Sequence, residues 1–472
     1  MLFKCLKSKK RNFLILSLAL FIILSTVIGI SGKDFIINFF TRLEMDELES
    51  DFSEARLLVL APHNDDETLG CGNLITKVIN SGGTVKVVLL TNGDGHASAV
   101  AVSYLTIKPK SKDYIRSAYA RQKETESAMA KANVAKNNII YLGYPDGGLY
   151  NMWKENWDEN NLFVSNFTKQ NYSPYTNSYR ENASYCGKNL SEDLEKIIKE
   201  YNPSIIAFPH PNDQHPDHFT TYCFAKYSLE KSNLNPEQYL YLVHRGKWPS
   251  PVGQFSKMFL VPPSELINLG TQWTSLSMDE IEIKEKANMI REYKSQNNVM
   301  GYFLKSFIRQ NELFGIYPDL VYEFNNEAAP TILLLEDPSN DNIRRNSSKP
   351  GDIKEVCLGN DRTNMILSLN TVRAPNTKIS YHFDMHFFSD DRKSFRINML
   401  ISGDKSIDLL ADTSENITSI DGLKLIPDAE MLTISIPYIA IPDFNSILVS
   451  VSTSSNYRVL DRTAWRLVRK EL

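Results

Sequence analysis

Hydrophobic positions fall into two successive rhythms along the chain. In the first, short apolar runs alternate with helical periodicity. Arg56 to Ala61 (RLLVLA) reads as a buried strand and Thr68 to Asn80 as the helix after it. Thr84 to Leu90 (TVKVVLL) is the next strand, Ser117 to Ala135 an Ala-rich amphipathic helix, and Asn138 to Leu142 a further short strand. Ser191 to Tyr201 is helical, Ser204 to Phe208 (SIIAF) a strand, and Asp217 to Leu229 helical again. Strands alternating with helices predict an α/β fold: a Rossmann-like layered domain with a mainly parallel sheet and right-handed crossovers. Ligands in such sheets bind beyond the carboxyl ends of the strands. Asp279 to Gln296 predicts a charged helix, and Phe303 to Phe314 continues apolar residues at helical spacing. The polar, aromatic-rich segments from Gly95 to Asp113 and from Tyr150 to Cys186 have no clear period and predict loops over the mouth of the sheet.

The second rhythm follows a stretch rich in Asn, Ser and Pro, residues 337–352 (DPSNDNIRRNSSKPGD), which reads as a linker. Lys378 to Phe388, Phe395 to Ser402, Met431 to Ile439 and Asn445 to Thr453 are short strand-like runs without a convincing helix among them. They predict a C-terminal β-sandwich-like domain over 353–472, after a catalytic domain over 54–325.

A chain of 472 residues is long enough for two such domains. Charged residues make up 23% and the formal net charge is -4, so no electrostatic footprint for nucleic acid is present. Five scattered cysteines without CxxC spacing indicate neither a disulfide framework nor a Cys-based metal site. The N-terminus changes the picture more. Phe13 to Ile30 is an uncharged run of 18 residues led by Lys4, Lys7, Lys9, Lys10 and Arg11, which predicts a membrane anchor helix or a signal peptide within residues 1–33. The basic flank should stay cytoplasmic, leaving the rest of the chain extracytoplasmic, or secreted if the segment is cleaved.

Two motifs carry candidate chemistry. APHNDDETLGCG, residues 61–72, follows the first strand directly. His63 and Asp66 can turn toward one point in a strand-to-helix loop, and an imidazole with a carboxylate suits a catalytic zinc. Asp65 lies between them, free to face a bound water, and Gly70 and Gly72 predict close approach of the helix to the sheet. HPNDQHPDH, residues 210–218, follows the SIIAF strand. His215 and His218 share a face of a helical first turn, so one can complete a His, Asp, His set while the other stays beside the open position. Either motif alone is as well read as a capped helix start. Both at the ends of two strands of one sheet are not. His96 reads as a solvated loop residue, and His382 with His386 as ordinary sheet surface lacking a third ligand.

From Arg56 to Phe314 the sequence resembles the PIG-L/LmbE-like zinc-dependent deacetylase family. Besides both motifs the resemblance rests on TNGD (Thr91 to Asp94), Arg121 and Glu124 in RQKE, YPDG (Tyr144 to Gly147), and Lys286 and Ala287 followed by YKSQ (Tyr293 to Gln296). It implies His63, Asp66 and His218 as Zn2+ ligands, Asp65 as general base, and His215 as the group that stabilises the oxyanion or protonates the leaving amine. Arg121 and Asp146 match positions that bind substrate or order the site. Two departures are Asn64, where Pro or Ser is usual, and Asp213, where some members carry an oxyanion-assisting Tyr. The implied activity is hydrolysis of an N-acetyl amide on an N-acetylglucosamine-type sugar of a glycan, glycolipid or glycoconjugate, and the β-rich module then either contacts a glycan or simply docks on the first domain. The alternatives are a small-molecule thiol-conjugate amidase of the same fold and a catalytically silent glycan-binding protein.

Overall fold

The parallel core predicted from the apolar runs is present in the computed structural model, which describes residue 42 and residues 45–324, 329–339, 341, 349–402, 406–426, 428, 430–456 and 458–471. Residues 13–30, expected to form a membrane helix, lie outside the described residues. Among the described residues no helix is long and apolar enough to cross a membrane. Residues 48–472 form one compact unit.

In that unit the strands are β1 (Arg56–Ala61), β2 (Thr84–Thr91), β3 (Ile139–Tyr144), β4 (Ile205–Pro209), β5 (Glu237–Tyr241), β6 (Gln272–Ser277) and β7 (Asn311–Ile316). Their order across the sheet is β6-β7-β5-β4-β1-β2-β3. From β3 to β5 all neighbours pair in parallel, and β7 adds antiparallel to β5 and to β6. The near-continuous apolar runs of β1 and β4 follow from burial on both faces by helices. Those helices are α1 (Asp66–Asn80), α2 (Ala97–Ser103), α3 (Ser111–Lys131), α4 (Leu149–Lys154), α5 (Gly187–Tyr201), α6 (Pro216–Ser232), α7 (Glu280–Glu292) and α8 (Lys294–Leu304). β1 and β4 lie side by side in parallel, Leu57 opposite Ile205, although some 150 residues separate them. The chain turns outward in opposite directions from this pair. It is the switch point at which a crevice opens beyond the carboxyl ends.

Three expectations are corrected. Phe303 to Phe314 is not one helix: α8 ends at Leu304, a 3-10 turn covers Lys305–Phe307, and Asn311 onward enters β7. The charged helix breaks at Tyr293, whose φ of -79° and ψ of 63° are not helical. The two loop segments contain the short helices α2 and α4.

Beyond β7 the chain forms β8 (Leu320–Tyr322), β9 (Ile332–Glu336), β10 (Ile353–Asn360), β11 (Asn364–Thr371), β12 (Ser380–Phe388), β13 (Ser394–Ile401), β14 (Ile407–Leu409), β15 (Lys424–Ile426), β16 (Met431–Pro437), β17 (Ser446–Ser455), β18 (Arg458–Arg462) and β19 (Arg466–Lys470). One sheet runs β9-β10-β11-β16-β15 and the other β14-β13-β12-β17-β19-β8, with β18 paired to β17. A single apolar cluster, including Leu358, Leu367, Phe383, Met385 and Val451, fills the space between them. β8 and β9 therefore join this module from before the Asn- and Ser-rich segment.

The module is fused to the α/β part by a second cluster in which Leu60, Phe208 and Phe224 pack with Phe388, Leu448 and Trp465. His386 is at this junction, 2% exposed, its ring stacked on Trp153 at 4.3 Å. It is a buried packing residue rather than sheet surface. His382 bonds Ser454 at the same strand.

Candidate metal centre and cleft

Each half of the site is set by a strand end. After β1 the chain turns through Asp65, whose φ of 138° and ψ of -29° belong to a region that residues with a side chain rarely enter. The strain is held in place locally. The Asp65 N–H donates to Glu67 Oε2 (3.0 Å), and its carbonyl accepts from the N–H groups of Thr68 (3.0 Å) and Leu69 (2.9 Å). Close approach of α1 to the sheet depends on Gly70, where a Cβ would lie 2.5 Å from the Tyr241 ring. Gly72 has no such constraint; its nearest neighbours stand at 3.6 Å. After β4, His215 caps α6 by accepting the Asp217 N–H on Nδ1 (3.2 Å).

The two halves meet on one oxygen. Asp66 Oδ2 lies 3.1 Å from His63 Nδ1 and 3.1 Å from His218 Nε2. The other nitrogen of each ring faces a further carboxylate: His63 Nε2 stands 3.1 Å from Asp217 Oδ2, and His218 Nδ1 stands 3.2 Å from Asp213 Oδ2. When each ring gives its one proton to that outer carboxylate, two imidazole lone pairs point at a single carboxylate oxygen. One cation at that point serves both lone pairs and the carboxylate oxygen. His218 is fully buried and neither of its nitrogens has an aligned hydrogen bond. The donor set, two imidazoles and a carboxylate with carboxylates behind the imidazoles, is that of a divalent metal with its supporting shell. His63, Asp66 and His218 therefore fit a metal, as the resemblance implies.

The outer carboxylates are anchored in turn. Asp217 accepts the N–H groups of Gly147 (2.7 Å) and Leu149 (3.2 Å), and Asp213 accepts those of Val243 (3.0 Å), His244 (3.0 Å) and His215 (2.9 Å). Asp213 thus orients His218. Asp146 Oδ1 stands 3.5 Å from His63 Nε2 and Asp146 Oδ2 accepts the Gly95 N–H (2.7 Å).

Five carboxylates (Asp65, Asp66, Asp146, Asp213 and Asp217) face two imidazoles and Arg121, and ionisation responds accordingly. Burial opposes charge on His218, but Asp66 and Asp213 outweigh it and hold the ring up at about 10. His63 is likewise held well above its ordinary value by Asp146, Asp217 and Asp66 against its burial. Burial, with the charges of His63 and His218, pushes His215 down to about 4. With Nδ1 already accepting a bond, a neutral His215 carries its proton on Nε2 and is a hydrogen-bond donor into the cleft. Asp65 is pushed up to about 8 by burial and by Asp66 and Glu67, against Arg121. A divalent cation alongside reverses that balance and favours its ionised form.

The remaining motifs of the resemblance brace this centre. Arg121 donates from Nη2 to the Asn64 carbonyl (2.6 Å) and from Nη1 to the Gly93 carbonyl (2.9 Å), and its Nη2 lies 3.4 Å from Asp65 Oδ2. Gly93 has φ of 60°, and a Cβ there would sit 2.0 Å from the guanidinium, so TNGD needs its glycine for Arg121 to arrive. Glu124 of RQKE accepts the N–H of Ser295 (2.8 Å) in YKSQ, and Lys286 donates to the Leu69 carbonyl (2.9 Å) and to Glu312 (2.6 Å).

A cleft of about 230 Å³ opens on the centre. Asp65, Asp146 and His215 line it, and so do four residues that sequence reasoning did not assign: His244, Phe303, Gln296 and His96. The His244 ring stacks on Phe303 at 5.4 Å, and His96 Nδ1 pairs with Gln296 Oε1 at 2.6 Å, so His96 is a wall residue and not a solvated one. His244 carries no motif. Its one signal is its place three residues beyond the carboxyl end of β5.

Residues 58–227 match the model of the PIG-L family, described as GlcNAc-PI de-N-acetylase. The resemblance read from the motifs is borne out over that segment. Among solved structures, the chain is similar to N,N'-diacetylchitobiose deacetylase from Pyrococcus horikoshii, with 20% identity over 57% of this chain and 87% of that one and a TM-score of 0.35. It is also similar to the A40926 pseudoaglycone deacetylase Dbv21, with 16% identity over 56% and 98% of the two chains and a TM-score of 0.36. A third is the 4-carboxy-2-hydroxymuconate hydratase from Pseudomonas putida, with 12% identity over 57% and 99% and a TM-score of 0.33. At these scores none of them bears on function. No curated protein matches the chain.

Proposed function

We propose that this cleft hydrolyses the N-acetyl amide of an amino sugar in a glycan, glycolipid or glycoconjugate, releasing acetate and a free amine, with Zn2+ held by His63, Asp66 and His218. The observation that carries the reading is the convergence of His63 Nδ1 and His218 Nε2 on Asp66 Oδ2, each at 3.1 Å, with Asp65 beside them at the cleft wall. The family description of residues 58–227 supports the substrate class. When bound, zinc polarises the amide carbonyl and lowers the pKa of its water toward ~7.

Asp65 accepts the proton of the attacking water and returns it to the departing nitrogen as the C–N bond breaks. Arg121 keeps Asp65 in its strained position by tying down the Asn64 and Gly93 carbonyls. His215, neutral with the proton on Nε2, donates to the oxygen on which charge develops. Asp146, at the cleft wall, accepts from sugar hydroxyls, and Phe303 with His244 offers an aromatic face to the ring. The N-terminal basic and apolar sequence supports a membrane-anchored, extracytoplasmic setting for this activity.

The test is metal analysis of the purified full chain together with amine release from a panel of N-acetylated sugars, with and without chelator. Zinc near one equivalent and amine release that chelation abolishes and zinc restores are expected. Zinc present with no amine released from any acetamido sugar would overturn the substrate class.

A further inference from the structure

A second group of converging carboxylates lies away from the cleft, where the β module meets the α/β part. Asp337 follows β9, Asp461 is in β18, and Asp341 lies in the polar segment between β9 and β10. One carboxylate oxygen from each comes within 4.8 Å of the others. Asp337 is 6% exposed, and its Oδ2 is buried with no hydrogen-bond partner. Asp341 Oδ1 is buried and unpartnered as well. Asp461 uses its oxygens to accept the N–H groups of Ile353 (2.7 Å) and Arg462 (3.0 Å).

Two guanidiniums flank the group. Arg245 Nη2 donates to Asp341 Oδ2 (2.7 Å), while Arg462 stacks on Phe219 at 3.4 Å and reaches toward the Asp213 carbonyl (3.4 Å). Asp352 is a fourth carboxyl, close enough to act electrostatically on Asp341 and Asp461. Burying an ionised carboxylate oxygen without a partner is strongly unfavourable, so it is retained only when a proton or a cation completes it.

We propose that Asp337, Asp341 and Asp461 form a second cation site, for a hard divalent ion of the Ca2+ class, that ties the segment after β9 to β18 on the face of the β module that meets Arg245 of the α/β part. Oxygen-only donors without imidazole or thiol select such an ion over zinc. The site is tied to the cleft through the chain itself: Arg245, bonded to Asp341, directly follows His244 of the cleft wall.

The experiment uses the full chain, loaded with one equivalent of zinc and free of other metals, titrated with Ca2+ by calorimetry and followed by thermal melting. One Ca2+ equivalent should bind with a rise in Tm, zinc content and amine release staying unchanged. Asp337→Asn and Asp461→Asn should each weaken Ca2+ at least tenfold. Because Asp337→Asn removes a repulsive charge and breaks no bond at Oδ2, it should not melt below the wild type when Ca2+ is absent, which separates loss of a ligand from loss of fold. Absence of Ca2+ binding by the wild type at neutral pH would overturn the proposal in favour of a proton shared between the carboxyls. Full Ca2+ affinity in both variants would overturn it too.

Discussion

The protein buries carboxylates against one another in two places, and the two are built differently. At the ends of β1 and β4, Asp66 shares its oxygen with two imidazoles, and each ring is backed by a carboxylate that backbone N–H groups hold in turn. At the module junction, Asp337, Asp341 and Asp461 meet without an imidazole, and Asp337 Oδ2 has no partner at all. The first opens on a cleft of about 230 Å³, whereas at the second Asp337 and Asp461 are buried and Arg245 donates to Asp341. Nitrogen donors and an open side suit a metal that does chemistry; oxygen donors in a closed junction suit an ion that holds parts together. Substitutions that empty one place and spare the other test this division.

The largest effect is expected from His218→Ala. It removes one of the two rings on Asp66 Oδ2, so metal content should fall to background and amine release by at least ~10³-fold. Asp337→Asn in the same assays should change neither. Zinc retained by His218→Ala would break the comparison at its first term. Asp65→Asn comes next. Its side chain lines the cleft and is not one of the three metal donors, so metal should remain stoichiometric while kcat falls by about 10²- to 10⁴-fold. A normal kcat in that variant would remove Asp65 from the proton path.

A smaller effect belongs to the carboxylates behind the rings. Asp217→Asn and Asp213→Asn leave all three ligands in place but loosen the tautomer and orientation of His63 and His218. A loss of about 10- to 100-fold in zinc affinity is expected, read by competition with a chromogenic chelator. Unchanged affinity in both would mean that the 3.1 Å and 3.2 Å contacts only pack the rings.

These supporting residues also mark the limit of what the sequence discloses. The paired motifs were legible because each directly follows a run of consecutive apolar residues, the signature of a strand buried on both faces. Asp217 was visible as a helix-start carboxylate, but its bonds to Gly147 and Leu149 arise from a loop some 70 residues earlier that no local pattern predicts. Asp213 reads as a departure because some members of the family carry a Tyr there; its place behind His218 Nδ1, at 3.2 Å, depends on how the loop after β4 turns into α6. The strands β6 and β7 were missed for a related reason. β7 buries Asn311 and Glu312, which the Leu260 backbone and Lys286 satisfy, so polar residues occupy what is a core strand. Phe303, Phe307 and Phe314 then mimicked one helical face.

The junction cluster gives the smallest effect and the clearest sign. Burial, with the charges of Asp341 and Asp352, pushes Asp461 up to about 7 against the bonds from Ile353 and Arg462, and burial, with Asp461 and Asp341, holds Asp337 well above the usual carboxylate range. An unfolded Asp titrates near ~3.9, so between about pH 4 and pH 7 the folded, Ca2+-free chain binds more protons than the unfolded one. Its stability therefore falls as pH rises through that window. The ionised carboxylates are the form that binds Ca2+, so saturating Ca2+ should offset the fall and act more strongly at pH 8 than at pH 5. With zinc held constant, the Ca2+-dependent gain in Tm should grow by a few degrees over that range, on the order expected for one or two kcal/mol. Asp461→Asn should flatten the dependence. An equal gain at both pH values would show that the stabilising ion binds elsewhere, and the two places would no longer divide the work between them.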